Sequence, residues 1–78
     1  MAAFLLGRAT KGREAAQWFG KYLEEAPGGA LAREALGRLI EAELESGNRA
    51  NASSAASRYL KSYPDGPHVP LAREVLGR

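Results

Sequence analysis

The strings LAREALGR, Leu31 to Arg38, and LAREVLGR, Leu71 to Arg78, differ at one position of eight and stand forty residues apart in a chain of 78. A chain of this length makes one domain, 1–78, and buries only about 60% of its unfolded surface. A string written twice in so small a core points to a structural unit used twice, not to a motif that carries chemistry.

Helix breakers divide the rest of the chain. Lys11-Gly12, Pro27-Gly28-Gly29, Ser46-Gly47-Asn48 and Pro64-Asp65-Gly66-Pro67 are the punctuation. The segments between are rich in Ala, Leu, Glu and Arg, which favour helix. β-branched residues are confined to Thr10, Ile40, Val69 and Val75, and no segment alternates with period two, so strands are not expected. Ala15, Phe19, Tyr22, Leu23 and Ala26 fall on one helical face, and Ala52, Ala56, Tyr59, Leu60 and Tyr63 fall on the same face of a later segment. Between them Ala32, Ala35, Leu36, Leu39, Ile40 and Leu44 form a stripe that Leu31 and Ala42 widen, as expected of a helix packed on more than one side. Pro70 suits the first turn of a last helix, where its missing N–H would have no partner anyway. The expected elements are a partial helix over 3–10 and helices over 13–26, 30–46, 49–63 and 70–78.

A shift of 37 residues superposes Ala15 on Ala52, Tyr22 on Tyr59, Leu23 on Leu60, Pro27 on Pro64 and Gly29 on Gly66. The two opening strings superpose only at a shift of forty. The second copy is therefore expected to carry a loop three residues longer, within Pro67-His68-Val69-Pro70. The whole reads as two helix hairpins that bury their apolar faces by stacking. The end face formed by Leu71 and Val75 is then a stacking surface, to be covered by the rest of a longer protein or by a second copy.

These residues resemble the tetratricopeptide repeat. Gly47 is followed by Ala52, Ala56, Tyr59 and Pro64 at +5, +9, +12 and +17, and Thr10, Ala15, Phe19, Tyr22 and Pro27 repeat the spacing. The run Tyr59 to Pro67, with its YP-x-G-P ending, looks like a branch found in bacterial cell-envelope assembly proteins and envelope-linked regulators. The chain departs from the pattern: Tyr22 and Tyr59 stand where it has Ala, and the repeat exceeds the usual 34 residues. The resemblance implies an all-α, right-handed stack of antiparallel helix hairpins, about two repeats and four to five helices. It also implies a scaffold that binds a protein or peptide, without enzymatic activity.

Charge and composition exclude several other functions. Eleven Lys and Arg against nine Asp and Glu leave +2, too little to argue for nucleic acid. Without cysteine there is neither a disulfide nor a thiolate site, and the single His68 cannot assemble a metal centre, so no cofactor is expected. The apolar run Ala2 to Leu6 is too short for a signal peptide core or a membrane span, so a soluble cytoplasmic or periplasmic domain is expected. The rival reading is a helix-turn-helix with 49–61 as recognition helix. Ser57 and Arg58, however, lie nearly one helical turn too far beyond Gly47 for that motif. Candidate partner contacts are Trp18, which replaces the alanine of the second copy, Glu41 and Glu45, an acidic strip one turn apart, and Leu71 and Val75. His68, between two prolines, is expected to be an exposed loop residue. Leu36 and Leu39 are both expected in the core.

Overall fold

The structure is a computed structural model and describes residues 2–77. Five helices follow one another: α1 Ala2–Ala9, α2 Gly12–Glu25, α3 Ala32–Glu45, α4 Arg49–Ser62 and α5 Val69–Leu76. Each packs on the next, and the stack measures 32 × 25 × 17 Å. Among the described residues there is no strand, and the architecture is an all-α series of antiparallel hairpins. Arg78, the last residue of the expected final helix, lies outside the described residues.

The duplication is a duplication of backbone. Helix α4 is α2 moved by 37 residues at both ends, and α5 starts 37 residues after α3. The connections 26–31 and 63–68 have the same length and the same hydrogen bonds. Ala26 N–H donates to Tyr22 C=O at 2.8 Å and Tyr63 N–H to Tyr59 C=O at 2.7 Å; Ala32 N–H donates to Gly29 C=O and Val69 N–H to Gly66 C=O, both at 3.1 Å. The expected three-residue insertion in the second loop is therefore absent. LAREALGR begins at Leu31, the N-cap of α3, whereas LAREVLGR begins three residues along, inside α5, whose N-cap is His68. A slip of three residues is nearly one helical turn, so the same residue types still face the neighbouring helix.

Two repeat-equivalent tyrosines hold this frame. Tyr22 and Tyr59 are buried, and their hydroxyls reach the start of the following helix. Leu31 N–H donates to Tyr22 Oη at 3.2 Å, and His68 N–H donates to Tyr59 Oη at 3.0 Å. Both donors stand at a helix N-terminus, where backbone N–H groups have no partner within the helix. Glycine in the turn makes the approach possible. A Cβ on Gly29 would lie 2.6 Å from Tyr22 Oη, and one on Gly66 would collide with Tyr59 Oη.

Helix α3 ends in a Schellman motif at Gly47, whose φ of 79° is left-handed. Asn48 N–H donates to Glu43 C=O at 2.9 Å and Gly47 N–H to Leu44 C=O at 3.1 Å, while Asn48 Oδ1 caps α4 by accepting from Asn51 N–H at 3.0 Å. In the first copy the left-handed residue is Gly12, at 57°, and not the residue at the Thr10 position. Thr10 instead closes α1, its Oγ1 donating to Leu6 C=O at 2.9 Å.

Ten of the eighteen buried apolar residues are alanines, which lets neighbouring helices approach closely. Phe4, Leu36, Ile40 and Tyr59 supply the largest fully buried volume, and Phe4 meets the rings of Phe19 and Tyr22 edge-on at 5.6 and 5.7 Å. Leu36 is 1% exposed, but Leu39 is only partly buried. Leu36→Ala is therefore expected to cost about 2–5 kcal/mol in urea unfolding, and Leu39→Ala clearly less. Tyr59→Phe should cost about 1 kcal/mol, by leaving the His68 N–H without an acceptor.

Candidate interaction surface

Glu34, Arg38, Glu41 and Glu45 recur at i, i+4, i+7 and i+11, so they form one stripe along α3. Alanines and leucines fill the sides of α3 that meet α2 and α4, so this stripe is left to the surface. It is bordered by Gly7 and Arg8 of α1, which share a cleft with Arg38, Glu41 and Glu45, and by His68 at the start of α5. The stripe is internally tied. Arg38 Nε donates to Glu34 Oε2 at 3.4 Å. Glu45 Oε1 accepts from Gly12 N–H at 2.9 Å and so fastens the end of α3 to the α1–α2 turn. Glu41 Oε2 lies 3.2 Å from His68 Nε2. Glu41 and Glu45 therefore each have a separate partner and do not act as one free acidic strip.

His68 is the main correction to the reading of the sequence. It is not an exposed loop residue: its side chain is 20% exposed and its ring lies edge-on to Tyr59 at 5.7 Å. Gly37, in the middle of α3, provides the niche, since a Cβ there would collide with the imidazole. Nε2 faces Glu41, while Nδ1 is buried without a hydrogen-bond partner. At the corresponding positions of the first copy, 37 residues earlier, stand Phe4 and Leu31. The second copy thus carries a polar pair where the first carries an apolar one, and His68 lies on Tyr59 where Phe4 lies on Tyr22.

Trp18 is half-buried against the core beside Phe19, and Lys21 Nζ lies 5.7 Å from its ring centroid. Val75 is buried against α4 and borders a cleft of about 300 Å³ with Leu44, Arg49, Ala50 and Ser53; Leu71 is partly buried. Among the described residues the large apolar side chains most open to solvent are instead Leu5, Leu6 and Leu76. In the repeat frame Leu5 falls on the buried Ala42 of α3, while Leu6 and Leu76 fall on its partly exposed Glu43 and Leu39. The partner of His68 had no local signal in the sequence, because Glu41 is 27 residues away.

Among the described residues no three His, Cys, Asp or Glu side chains converge as a metal site, and no helix is long and apolar enough to cross a membrane. Compared with family models, with characterised proteins and with solved structures, the chain matches none.

The niche makes a measurable claim. Gly37→Ala should destabilise by about 1–3 kcal/mol through overpacking, despite the better helix propensity of alanine. In a His68→Ala background the same change should cost little or stabilise. A double-mutant cycle by urea unfolding reads the coupling, and additive effects would show that the ring does not occupy the niche.

Proposed function

We propose that the chain is a non-enzymatic helical-repeat module of tetratricopeptide type that binds a protein or peptide partner. The observation that carries this reading is the duplicated hairpin frame joined at α3, which leaves the charged stripe of that helix open between α1 and the start of α5. Arg38 is the one cation among the carboxylates of Glu34, Glu41 and Glu45, so the stripe suits an extended polar segment that sets an acidic group against Arg38 and basic groups on either side. The turn Tyr63-Pro64-Asp65-Gly66-Pro67 supports the bacterial envelope branch of the family as the setting. Nothing along the stripe pairs a nucleophile with a base, which supports a binding role over catalysis.

Selection from a random peptide display library against the folded protein tests the reading. An enriched peptide should lose about tenfold or more in affinity to Arg38→Glu, a variant whose helix content stays unchanged. A library that enriches nothing would sink the proposal. Steeply salt-dependent binding to duplex DNA, lost when Arg58 and Lys61 on α4 are neutralised, would move the assignment to a helix-turn-helix protein.

A further inference from the structure

In the cleft between α1 and α3 the carboxylates are partnered, and two of the three cations have no ion pair among the described residues. The cleft holds about 150 Å³. Gly7, Arg8 and Lys11 form one wall, Arg38, Glu41 and Glu45 the other, and Phe19 of α2 lies at its floor. Glu41 faces His68, and Glu45 accepts the Gly12 N–H. Arg38 meets Glu34 of its own helix at a loose 3.4 Å with both side chains well exposed, a pair that contributes little. Arg8 and Lys11 are exposed and unpaired.

The repeat shows that the frame does not need these cations. Thirty-seven residues on, Arg8, Lys11 and Arg38 correspond to Glu45, Asn48 and Val75. Lys11 is even a poor choice for its place. It stands at the N-cap of α2 and makes no side-chain cap, whereas Asn48 at the N-cap of α4 accepts from Asn51 N–H. A cation at a helix N-terminus also opposes the helix dipole. A residue that serves its helix worse than its own repeat counterpart points to a role outside the fold.

We infer that this cleft takes an extended peptide segment with acidic side chains at alternate positions, one carboxylate on Arg38 and the next on Arg8 and Lys11. The inference rests on the peptide-binding reading above and adds the chemistry and the path of the segment, which crosses from α3 to α1. Alternate side chains of an extended chain share a face, so one segment meets both walls. Arginine offers parallel N–H donors that match a carboxylate. Glu41 and Glu45 in the same wall count against a doubly charged phosphate and favour single carboxylates.

Sequencing the peptides enriched from the random display library, then titrating one synthesised member, tests the inference. Peptides enriched on the wild-type protein should carry acidic pairs two positions apart, and raising the salt should weaken binding. Arg8→Glu combined with Lys11→Glu alters exposed residues, so helix content should hold while affinity falls about tenfold or more. Lys11→Asn should weaken the peptide while the urea midpoint stays or rises, a pair of changes that a merely structural lysine would not give. Arg49→Glu, a reversal outside the cleft, should change affinity less than about twofold. Enriched peptides without acidic pairs, or equal binding to the double variant, would overturn this inference and leave the peptide-binding reading standing. So would unchanged affinity in Lys11→Asn, or an Arg49→Glu loss as large as that of the double variant, since net charge and not the cleft would then carry binding. A library that enriches nothing would overturn both.

Discussion

A buried tyrosine hydroxyl that accepts the first free N–H of the next helix is the contact on which the stack depends. Helix N-termini leave backbone donors without partners, and a chain of this size has little core with which to offset a buried orphan. Tyr22 and Tyr59 supply the acceptor across the turn, at Leu31 and at His68. The geometry works only where the turn residue has no Cβ, so Gly29 and Gly66 belong to the same device as the tyrosines. Because the hydroxyl sits at a set distance from its own helix, it fixes where the following helix begins and how it is offset. Alanine at these positions could not do this, having no hydroxyl to accept the N–H.

The two copies keep this device and differ around it. Phe4 and Leu31 in the first correspond to Glu41 and His68 in the second. The second set puts an imidazole on the tyrosine, in a niche that exists because α3 has a glycine in its middle. Glycine at a helix interior weakens the helix relative to alanine by roughly 0.5–1 kcal/mol, so its presence needs a packing reason, and His68 supplies one. The exchange brings polarity to the side of the stack where the α3 stripe lies. Glu41 is at once a partner of His68 and a member of that stripe, so the charged face of α3 and the seat of α5 share a residue.

The identical strings teach a narrower lesson about reading repeats. LAREALGR and LAREVLGR invited alignment with each other, and that alignment demanded an insertion the loop does not contain. Hydrogen bonds at both helix starts set the true register at 37 residues. The strings are out of phase by three, which a helix tolerates because residues three apart share a face. Identity of letters was the weaker guide, and the spacing of Tyr, Pro and Gly was the stronger.

Residue types and their periodicity were enough to establish five helical segments, their breakpoints to within two residues, the duplication and the tyrosine-containing core. Those properties depend on interactions within a few residues: propensity, capping, and the side chains that share a face. Which atom receives the Leu31 and His68 N–H groups, that His68 lies over Gly37 and not in solvent, that Glu45 holds the α1–α2 turn, and that Leu39 sits at the rim were decided only when the helices packed. Each of those contacts joins residues brought together by the angle between helices, and that angle is set by alanine contacts and by the two tyrosine hydroxyls acting at once. No short stretch of the chain contains it.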